Sequence, residues 1–254
     1  MKVLVLLALA VTIAACGTEG HREPGLMPTL SGDYVVTAVT DGGQPHAVVR
    51  GTEIRLSFAD GNLDLQAGCN RMSAAYTIDG SRLTVGPVAS TEMGCPQPRM
   101  AQDTWLAGLF ARPATIDWQQ QTITAGDVVL TLRPRTAVHP DQDLRRTRWV
   151  LDGVTRGEVA GSVPAGPEVA LVLEGTDVAH VSGLCNGFGA DIEVADGVIR
   201  WMPHMRTLMA CADPDRQALD DTVSRVLTGR TSYRVTEKTL VITHGEVALT
   251  FRAG

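Results

Sequence analysis

The sequence predicts a mainly β (α+β) protein made of two repeated small antiparallel β domains with one helix each. A cysteine pair 26 positions apart, Cys69 and Cys95, returns at the same spacing as Cys185 and Cys211. Short runs of alternating apolar residues are separated by Asp-Gly and Glu-Gly turns, which is typical of antiparallel strands. One helical pattern follows the second cysteine of each copy.

The strand patterns come in hairpins. In copy one, apolar residues alternate over 54–58, and a turn at 60–62 leads into a second apolar alternation. Copy two has the same order over 169–173, before a turn at 174–175. The Asp-Gly pairs at 79–80 and 196–197 predict a second hairpin in each copy.

The helical pattern is clearest in copy two. Asp213 is suited to cap the helix, Pro214 suits the first helical position and Gly229 suits the end. The acidic pair Asp220-Asp221 is expected on the solvent face. The apolar face is spaced at three and four residues: Leu219, Thr222, Val223, Val226 and Leu227, with Leu106, Leu109 and Phe110 placed similarly in copy one.

The N-terminus has the pattern of a bacterial export signal. Lys2 gives a positive start, and the apolar run 3–15 is shorter than the roughly 20 residues that span a bilayer. The run ends in "IAAC", which resembles a lipobox and predicts lipidation of Cys16. An ordinary signal peptide remains the alternative. We therefore expect an exported protein of the bacterial cell envelope that is anchored to a membrane through its N-terminal lipid. If the source is actinobacterial, as the preference for Arg over Lys suggests, the anchor lies on the outer face of the cytoplasmic membrane.

The remaining chain divides into two domains. Residues 1–15 are the predicted lipoprotein signal peptide and 16–29 a Gly/Pro-rich tether. Domain 1 is expected at 30–135, a linker at 136–145, and domain 2 at 146–254. The formal net charge of −6 argues against nucleic acid as a partner.

The cysteine count fits an oxidising compartment. The chain has five cysteines, an odd number that cannot all pair in disulfides. Lipidation of Cys16 would leave four that can. Of three possible pairings, the repeat favours Cys69–Cys95 and Cys185–Cys211, because each bond then closes within its own copy. Each such loop would stabilise its domain by roughly 3.5 kcal/mol. Redox activity and a shared zinc site are the alternatives, but neither copy has the close cysteine pair typical of those sites. We therefore predict no metal and no cofactor.

Three residue types recur with the cysteines. The asparagines are expected to bond neighbouring backbone and fix a bulge or turn, with ligand contact as the alternative. The threonines are expected to bond backbone near the disulfide, and the methionines to fill the core. These structural motif residues are Asn70, Thr91, Met93, Asn186, Thr207 and Met209.

The sequence offers no catalytic residue. None of the six histidines has an equivalent in the other copy, and no Gly-x-Ser-x-Gly motif is present. The glycine-rich stretch 183–189 is flanked by strand patterns, so it does not open a helix as a phosphate loop does. We expect a protein that is not an enzyme.

These residues resemble the META domain family, whose members include heat-shock-associated bacterial lipoproteins. The resemblance covers 30–135 and 146–253. Copy two departs from the family pattern at Leu184 and Ile192, and both copies have Ala, at 74 and 190, where the family has Gly. The matching residues are Gly68, Cys69, Asn70, Tyr76, Thr91, Met93 and Cys95, then Cys185, Asn186, Thr207, Met209 and Cys211.

The resemblance implies a partly open barrel with one helix and a poorly defined molecular activity. Family members are linked with stress, antibiotic tolerance and secretion. We expect a lipid-anchored, non-enzymatic envelope protein that binds an apolar small molecule, a lipid or an envelope protein, with a pocket at the barrel mouth. The alternatives are a scaffolding module without a ligand and a thiol-redox enzyme.

Overall fold

The computed structural model describes residues 30–254 and contains two antiparallel β-barrels. The predicted signal peptide, Cys16 and the tether up to residue 29 lie outside the described residues. The mainly β, two-domain architecture that the sequence predicts is confirmed.

Domain 1 is a ring of eight strands, to which β2 and β7 add short edges. β1 and β10 pair antiparallel from Tyr34–Pro134 to Asp41–Val128 and close the ring. The elements are β1 Gly32–Asp41, β2 Gln44–Pro45, β3 Ile54–Ala59, β4 Asn62–Gln66, β5 Arg71–Asp79, β6 Arg82–Val85, β7 Ala89–Ser90, α1 Gln97–Phe110, β8 Ala114–Asp117, β9 Thr122–Ala125 and β10 Val128–Pro134.

Domain 2 repeats this ring, with β12 as its short edge. β11 and β19 pair from Trp149–Ala253 to Arg156–Val247 and close it. After α2 Arg135–Val138, the elements are β11 Trp149–Arg156, β12 Val159–Ser162, β13 Ala170–Glu174, β14 Val178–Ser182, β15 Phe188–Ala195, β16 Val198–Pro203, α3 Pro214–Val226, β17 Gly229–Thr236, β18 Thr239–His244 and β19 Val247–Ala253.

Each ring has one short seam. In domain 1, β6 and β8 meet through two residue pairs, and in domain 2 the same is true of β11 and β13. The other neighbours in the two rings pair over three or more residues. Each barrel is therefore closed by hydrogen bonds, with one narrow point.

The Asp-Gly pairs form tight hairpin turns where the sequence predicts them. Asp60 and Gly61 have φ of 50° and 76°, and Asp196 and Gly197 have φ of 49° and 73°. Two successive left-handed residues match the twist of the flanking strands, and Asp-Gly tolerates that geometry. These turns set the register in which apolar side chains point into each barrel.

Helix α3 follows its sequence signals at the start but ends earlier than predicted. The Asp213 carboxylate accepts hydrogen bonds from the amides of Asp215 and Arg216 and caps the helix. The last helical residue is Val226. Gly229, predicted as the stop, has φ of 63° and opens β17 instead.

The barrel interiors are filled with side chains. Phe58 and Phe110 in domain 1 and Trp149 and Phe251 in domain 2 have no exposed surface. The predicted apolar face of each helix belongs to the same cores. Dense packing of this kind is expected in small barrels, whose interior is just wide enough for side chains.

The segment between the barrels contacts both of them. It contains the short helix α2, which begins at Arg135. The Arg135 guanidinium lies 2.7 Å from the Asp141 carboxylate, which accepts the Glu237 amide of domain 2 at 2.6 Å. Glu237 in turn pairs with Arg55 of domain 1 at 2.6 Å. The predicted linker therefore forms part of a polar contact between the two domains.

Burial and ion pairing shift the acidity of two carboxyls in this contact. The hydrogen bond from Arg135 holds the pKa of Asp141 below its usual range. Burial raises the pKa of Glu53, but hydrogen bonds from His139 and Arg55 outweigh burial and hold that pKa low as well. His139 lies 2.7 Å from Glu53. Both carboxyls are therefore held as carboxylates.

Among residues 30–254, no helix has the length and apolar character needed to cross a membrane.

Candidate functional site

The recurring asparagine of copy one, Asn70, connects the segment around Cys69 to the segment around Cys95 through hydrogen bonds. The Asn70 side-chain oxygen accepts hydrogen bonds from the Thr91 hydroxyl at 2.9 Å and from the Met93 amide at 2.8 Å. The Thr91 hydroxyl also accepts the amide of Arg71 at 3.1 Å. Asn70 is buried, so these bonds satisfy an amide that solvent does not reach.

Copy two reproduces this arrangement. The Asn186 side-chain oxygen accepts from the Thr207 hydroxyl at 2.9 Å and from the Met209 amide at 2.8 Å. Asn186 is 1% exposed. The asparagines therefore bond to a segment that lies more than 20 positions along the chain, rather than to neighbouring backbone. We call the asparagine, its threonine and the methionine amide the Asn brace.

The disulfides lie beside the Asn braces. Cys69 is bonded to Cys95 and Cys185 to Cys211, one bond within each copy. Each bond connects the loop that carries the asparagine to the segment that leads into the helix. The brace and the disulfide hold the same two segments together, one through hydrogen bonds and the other covalently.

Each Asn brace is supported by a carboxylate from the helix of its domain. The sequence analysis did not predict this support. In copy one, Asp103 of α1 accepts the amides of Gly68 at 2.6 Å, Cys69 at 3.0 Å and Asn70 at 2.8 Å. Asp103 is 4% exposed. A repeated helix aspartate is the sequence signal that could have revealed this support. Asp103 lies eight positions after Cys95, and Asp220 lies nine positions after Cys211, the matching cysteine.

The prediction that Asp220 faces solvent is wrong. Asp220 has no exposed surface; it accepts a hydrogen bond from the side-chain amide of Asn186 at 2.7 Å and pairs with Arg206 at 3.1 Å. Its neighbour Asp221 is exposed, as predicted. One buried acid in a charged helix therefore connects α3 to the brace of domain 2.

The motif glycines allow close backbone contact. A Cβ on Gly68 would overlap the backbone of Arg99 in α1. Gly183 has φ of 81°, and a Cβ there would overlap the Glu168 carbonyl. The two copies thus use a glycine one or two residues before their first cysteine for close packing against different segments.

The motif tyrosine of copy one is a packing residue. The Tyr76 hydroxyl donates to the Leu30 carbonyl at 3.1 Å, and its ring meets Phe58 edge-on with centroids 5.2 Å apart. In copy two Ile192 occupies this position and is 2% exposed. The change therefore replaces one core contact by another.

The prediction that the motif methionines fill the core is wrong. Met93 is 53% exposed and Met209 is 59% exposed. Their backbone amides donate to the asparagine side chains of the Asn braces, and their side chains lie in solvent. In copy two the exposed methionine is one of four exposed large apolar residues between 202 and 209.

Residues 202–209, which comprise the end of β16 and the loop after it, expose four large apolar side chains next to the brace of domain 2. Met205 and Leu208 are almost fully exposed, and Met202 and Met209 partly so. Arg206, in the same loop, turns back to pair with Asp220 and to contact the Ser224 hydroxyl. We call these four apolar residues the Met–Leu patch.

A recess lies between the outer face of domain 1 and the end of β17. Its volume is about 380 Å³, and its lining includes Tyr34, Arg55, Arg71, Met72, Arg135 and Thr236. The Nε atom of Arg135 is buried, has no hydrogen-bond partner among residues 30–254 and lies 3.8 Å from Asp33. The recess is outside the barrel, so it differs from the predicted pocket at the barrel mouth.

Family comparison identifies both halves of the chain. The META domain model matches residues 27–136 and 142–254. No curated protein matches the chain.

Solved structures give distant matches. A protein from Burkholderia xenovorans, solved by NMR, is 24% identical over 47% of this chain and 86% of that one, with a TM-score of 0.38. A second NMR structure is 23% identical, and the match covers 43% of this chain and 91% of that one, with a TM-score of 0.35. A sliding clamp of DNA polymerase III from Bartonella birtlesii is 13% identical, and the match covers 85% of this chain and 62% of that one, with a TM-score of 0.18.

Proposed function

Because this chain belongs to the META domain family and carries two copies of that domain, we propose that it is a non-enzymatic cell-envelope protein that binds another envelope protein through domain 2. The apolar run at 3–15 and the lipobox-like "IAAC" support export and anchoring through Cys16. A role in stress or antibiotic tolerance is part of the proposal and follows from the family alone.

The observation that carries the proposal is the Met–Leu patch. Four exposed large apolar side chains within eight residues are unusual on a soluble protein, and such groups mark interaction surfaces. Methionine is unbranched and polarizable, so it adapts to the shape of a partner and is frequent at binding surfaces. The patch is held in place by the Asn brace beneath Met209.

Copy one shows that the barrel does not require these apolar residues. Positions 86, 89 and 92, which precede by 116 the positions of Met202, Met205 and Leu208, hold Gly, Ala and Glu, and only Met209 has an equivalent exposed methionine, Met93. Copy one forms the same brace with the same distances. The patch therefore adds a property to domain 2 that packing within the barrel does not explain.

The charge of the chain and the packing of its barrels favour a protein over a lipid as the partner of the Met–Leu patch. The chain carries a formal net charge of −6, which opposes adsorption to an anionic bilayer, and Arg206 is engaged with Asp220. The barrel interiors are filled with side chains, so they do not favour an apolar ligand at the barrel mouth.

Site-specific crosslinking in a related bacterium tests the proposal. A photoreactive residue at Met205 of the full exported chain should crosslink to one envelope protein. Leu208→Glu should abolish that product, because a charge in an apolar contact is costly to bury. The matched control is Val159→Glu, an exposed apolar position on β12 of the same domain, which should leave the product unchanged. Absence of a discrete product, or a product that Leu208→Glu leaves intact, would contradict the proposal.

The recess at Arg135 favours a second candidate, a carrier of a small molecule. A buried guanidinium nitrogen that has no partner in the described part of the chain is unusual, and an acceptor group of a ligand would satisfy it. Native mass spectrometry of the exported protein tests this candidate. Extra mass that leaves on denaturation would support a carrier and give the class of ligand, whereas a mass equal to that of the chain would count against it.

A further inference from the structure

Two histidines of domain 2 face each other across a glycine on the outer surface of the barrel. His180 in β14 pairs with Gly189 in β15. The amide of His204, which follows β16, donates to the Gly189 carbonyl at 2.9 Å. A Cβ on Gly189 would lie 3.3 Å from Nδ1 of His204 and 3.5 Å from Nδ1 of His180. The absent side chain therefore leaves a space with one imidazole nitrogen on each side.

The other nitrogen of each ring faces a carboxylate. His204 Nε2 lies 3.0 Å from Asp191, and His180 Nε2 lies 3.8 Å from Glu174. Metal-binding histidines usually donate the proton of one ring nitrogen to a carboxylate, which leaves the lone pair of the other nitrogen free for the metal. In His204 this places the lone pair on Nδ1, toward the space above Gly189. His180 is beyond hydrogen-bond distance of Glu174, and its Nδ1 borders the same space.

We propose that His180 and His204 bind a divalent first-row transition-metal ion through their Nδ1 atoms, with Cu²⁺ bound most tightly. Imidazole suits copper, zinc and nickel, and affinities in this series peak at Cu²⁺. The two rings are about half exposed, so they are free to rotate toward metal–nitrogen distances of about 2.0–2.1 Å. Within 30–254 no group of three or more His, Cys, Asp or Glu side chains is suited to hold a metal. Water therefore completes the coordination.

Copy one lacks the pair. The equivalent positions, 116 earlier, hold Asp64, Ser73 and Val88. Asp64 and Ser73 pair in the same register as His180 and Gly189. The barrel therefore forms without the histidines and without a glycine between them, and the site is a property of domain 2 alone.

Gly189→Ala is the sharpest variant, because its methyl group fills the space where the ion would lie. Gly189 does not have a positive φ, so alanine fits the strand and the fold should be retained. His180→Gln and His204→Gln each remove one ligand. His46→Gln, which removes an imidazole stacked on Trp105 in domain 1, is the matched control.

Calorimetric titration of the full exported chain, without a polyhistidine tag, with Cu²⁺ and separately with Zn²⁺ tests the site. We expect one Cu²⁺ per chain bound by two nitrogens in the electron paramagnetic resonance spectrum, and weaker Zn²⁺ binding. Gly189→Ala and each histidine variant should weaken Cu²⁺ binding at least about tenfold, with unchanged melting temperature, and His46→Gln should bind like the parent. Parent-like affinity in Gly189→Ala, an equal loss in His46→Gln, or no binding at micromolar Cu²⁺ would overturn the proposal.

Discussion

Replacing Asp103 by asparagine should destabilise domain 1 by about 1–3 kcal/mol. The Asp103 carboxylate accepts three backbone amides in the loop that carries Asn70: Gly68 and Cys69 donate to one oxygen, and Cys69 and Asn70 donate to the other. Asparagine keeps one acceptor oxygen, which is able to serve Gly68 and Cys69, but it presents an amide donor to the buried amide of Asn70. That buried donor then loses its partner, at about 1–3 kcal/mol. A loss of this size is a large part of the roughly 5–15 kcal/mol that stabilises a domain.

Urea unfolding combined with amide hydrogen exchange measures the effect. The free energy of unfolding of domain 1 should fall, and exchange should accelerate most at Gly68, Cys69 and Asn70. Asp127→Asn is the control, because Asp127 is exposed and only its backbone carbonyl is used, by Gly42. A change in unfolding free energy below about 1 kcal/mol, or protection at the three amides equal to that of the control, would refute the reasoning.

Three further predictions concern both domains. Replacing Cys69 and Cys95 together by serine should lower the unfolding free energy of domain 1 by about 3.5 kcal/mol in urea denaturation, because a loop of the unfolded chain is no longer closed. Gly183→Ala should lower the melting temperature of domain 2 by several degrees, since its Cβ would overlap the Glu168 carbonyl at a left-handed φ. The depressed pKa values of Asp141 and Glu53 imply interdomain stabilisation that is present above their unfolded values of about 4–4.5 and is lost as pH falls through the folded values. The radius of gyration from X-ray scattering should therefore rise between pH 5 and pH 3, and a constant radius would contradict the ion-pair account.

Local sequence signals were sufficient for most of the fold. The left-handed turn at 60–61, the cap at Asp213 and the apolar faces of both helices each depend on residues within a few positions of one another. The duplication then served as an internal test, because a pattern seen twice at an offset of 116 is unlikely to arise by chance. The closure of each ring is less local, since β1 and β10 lie about a hundred residues apart.

The errors came from contacts that are distant in the chain. Asp220 looks like a solvent-facing acid among charged neighbours, but its partner Asn186 lies 34 positions away. Met93 is apolar, yet the Asn brace uses its backbone and leaves the side chain in solvent. The link between Arg55 and Glu237 spans 182 positions, so nothing in either local sequence reveals it.

The pair of histidines at Gly189 could not be predicted for the same reason. His180 and Gly189 lie on neighbouring strands and His204 follows a third, and only the register places both rings above the glycine. A search for metal-binding motifs along the sequence looks for ligands at short fixed spacings, and these two are 24 positions apart. Strand register, rather than spacing, generates this candidate site.

The central claim is that the repeated cysteine, asparagine and threonine motif is a structural brace rather than a redox centre. Intact mass spectrometry of the natively folded, exported chain, with thiol labelling before and after reduction, tests it most directly. We predict a mass deficit of four hydrogen atoms, corresponding to the two disulfides, with no labelling of Cys69, Cys95, Cys185 or Cys211 before reduction. We also predict that mild reductant leaves the crosslink from Met205 unchanged. Free thiols in the native protein, or loss of the crosslink on mild reduction, would contradict the account.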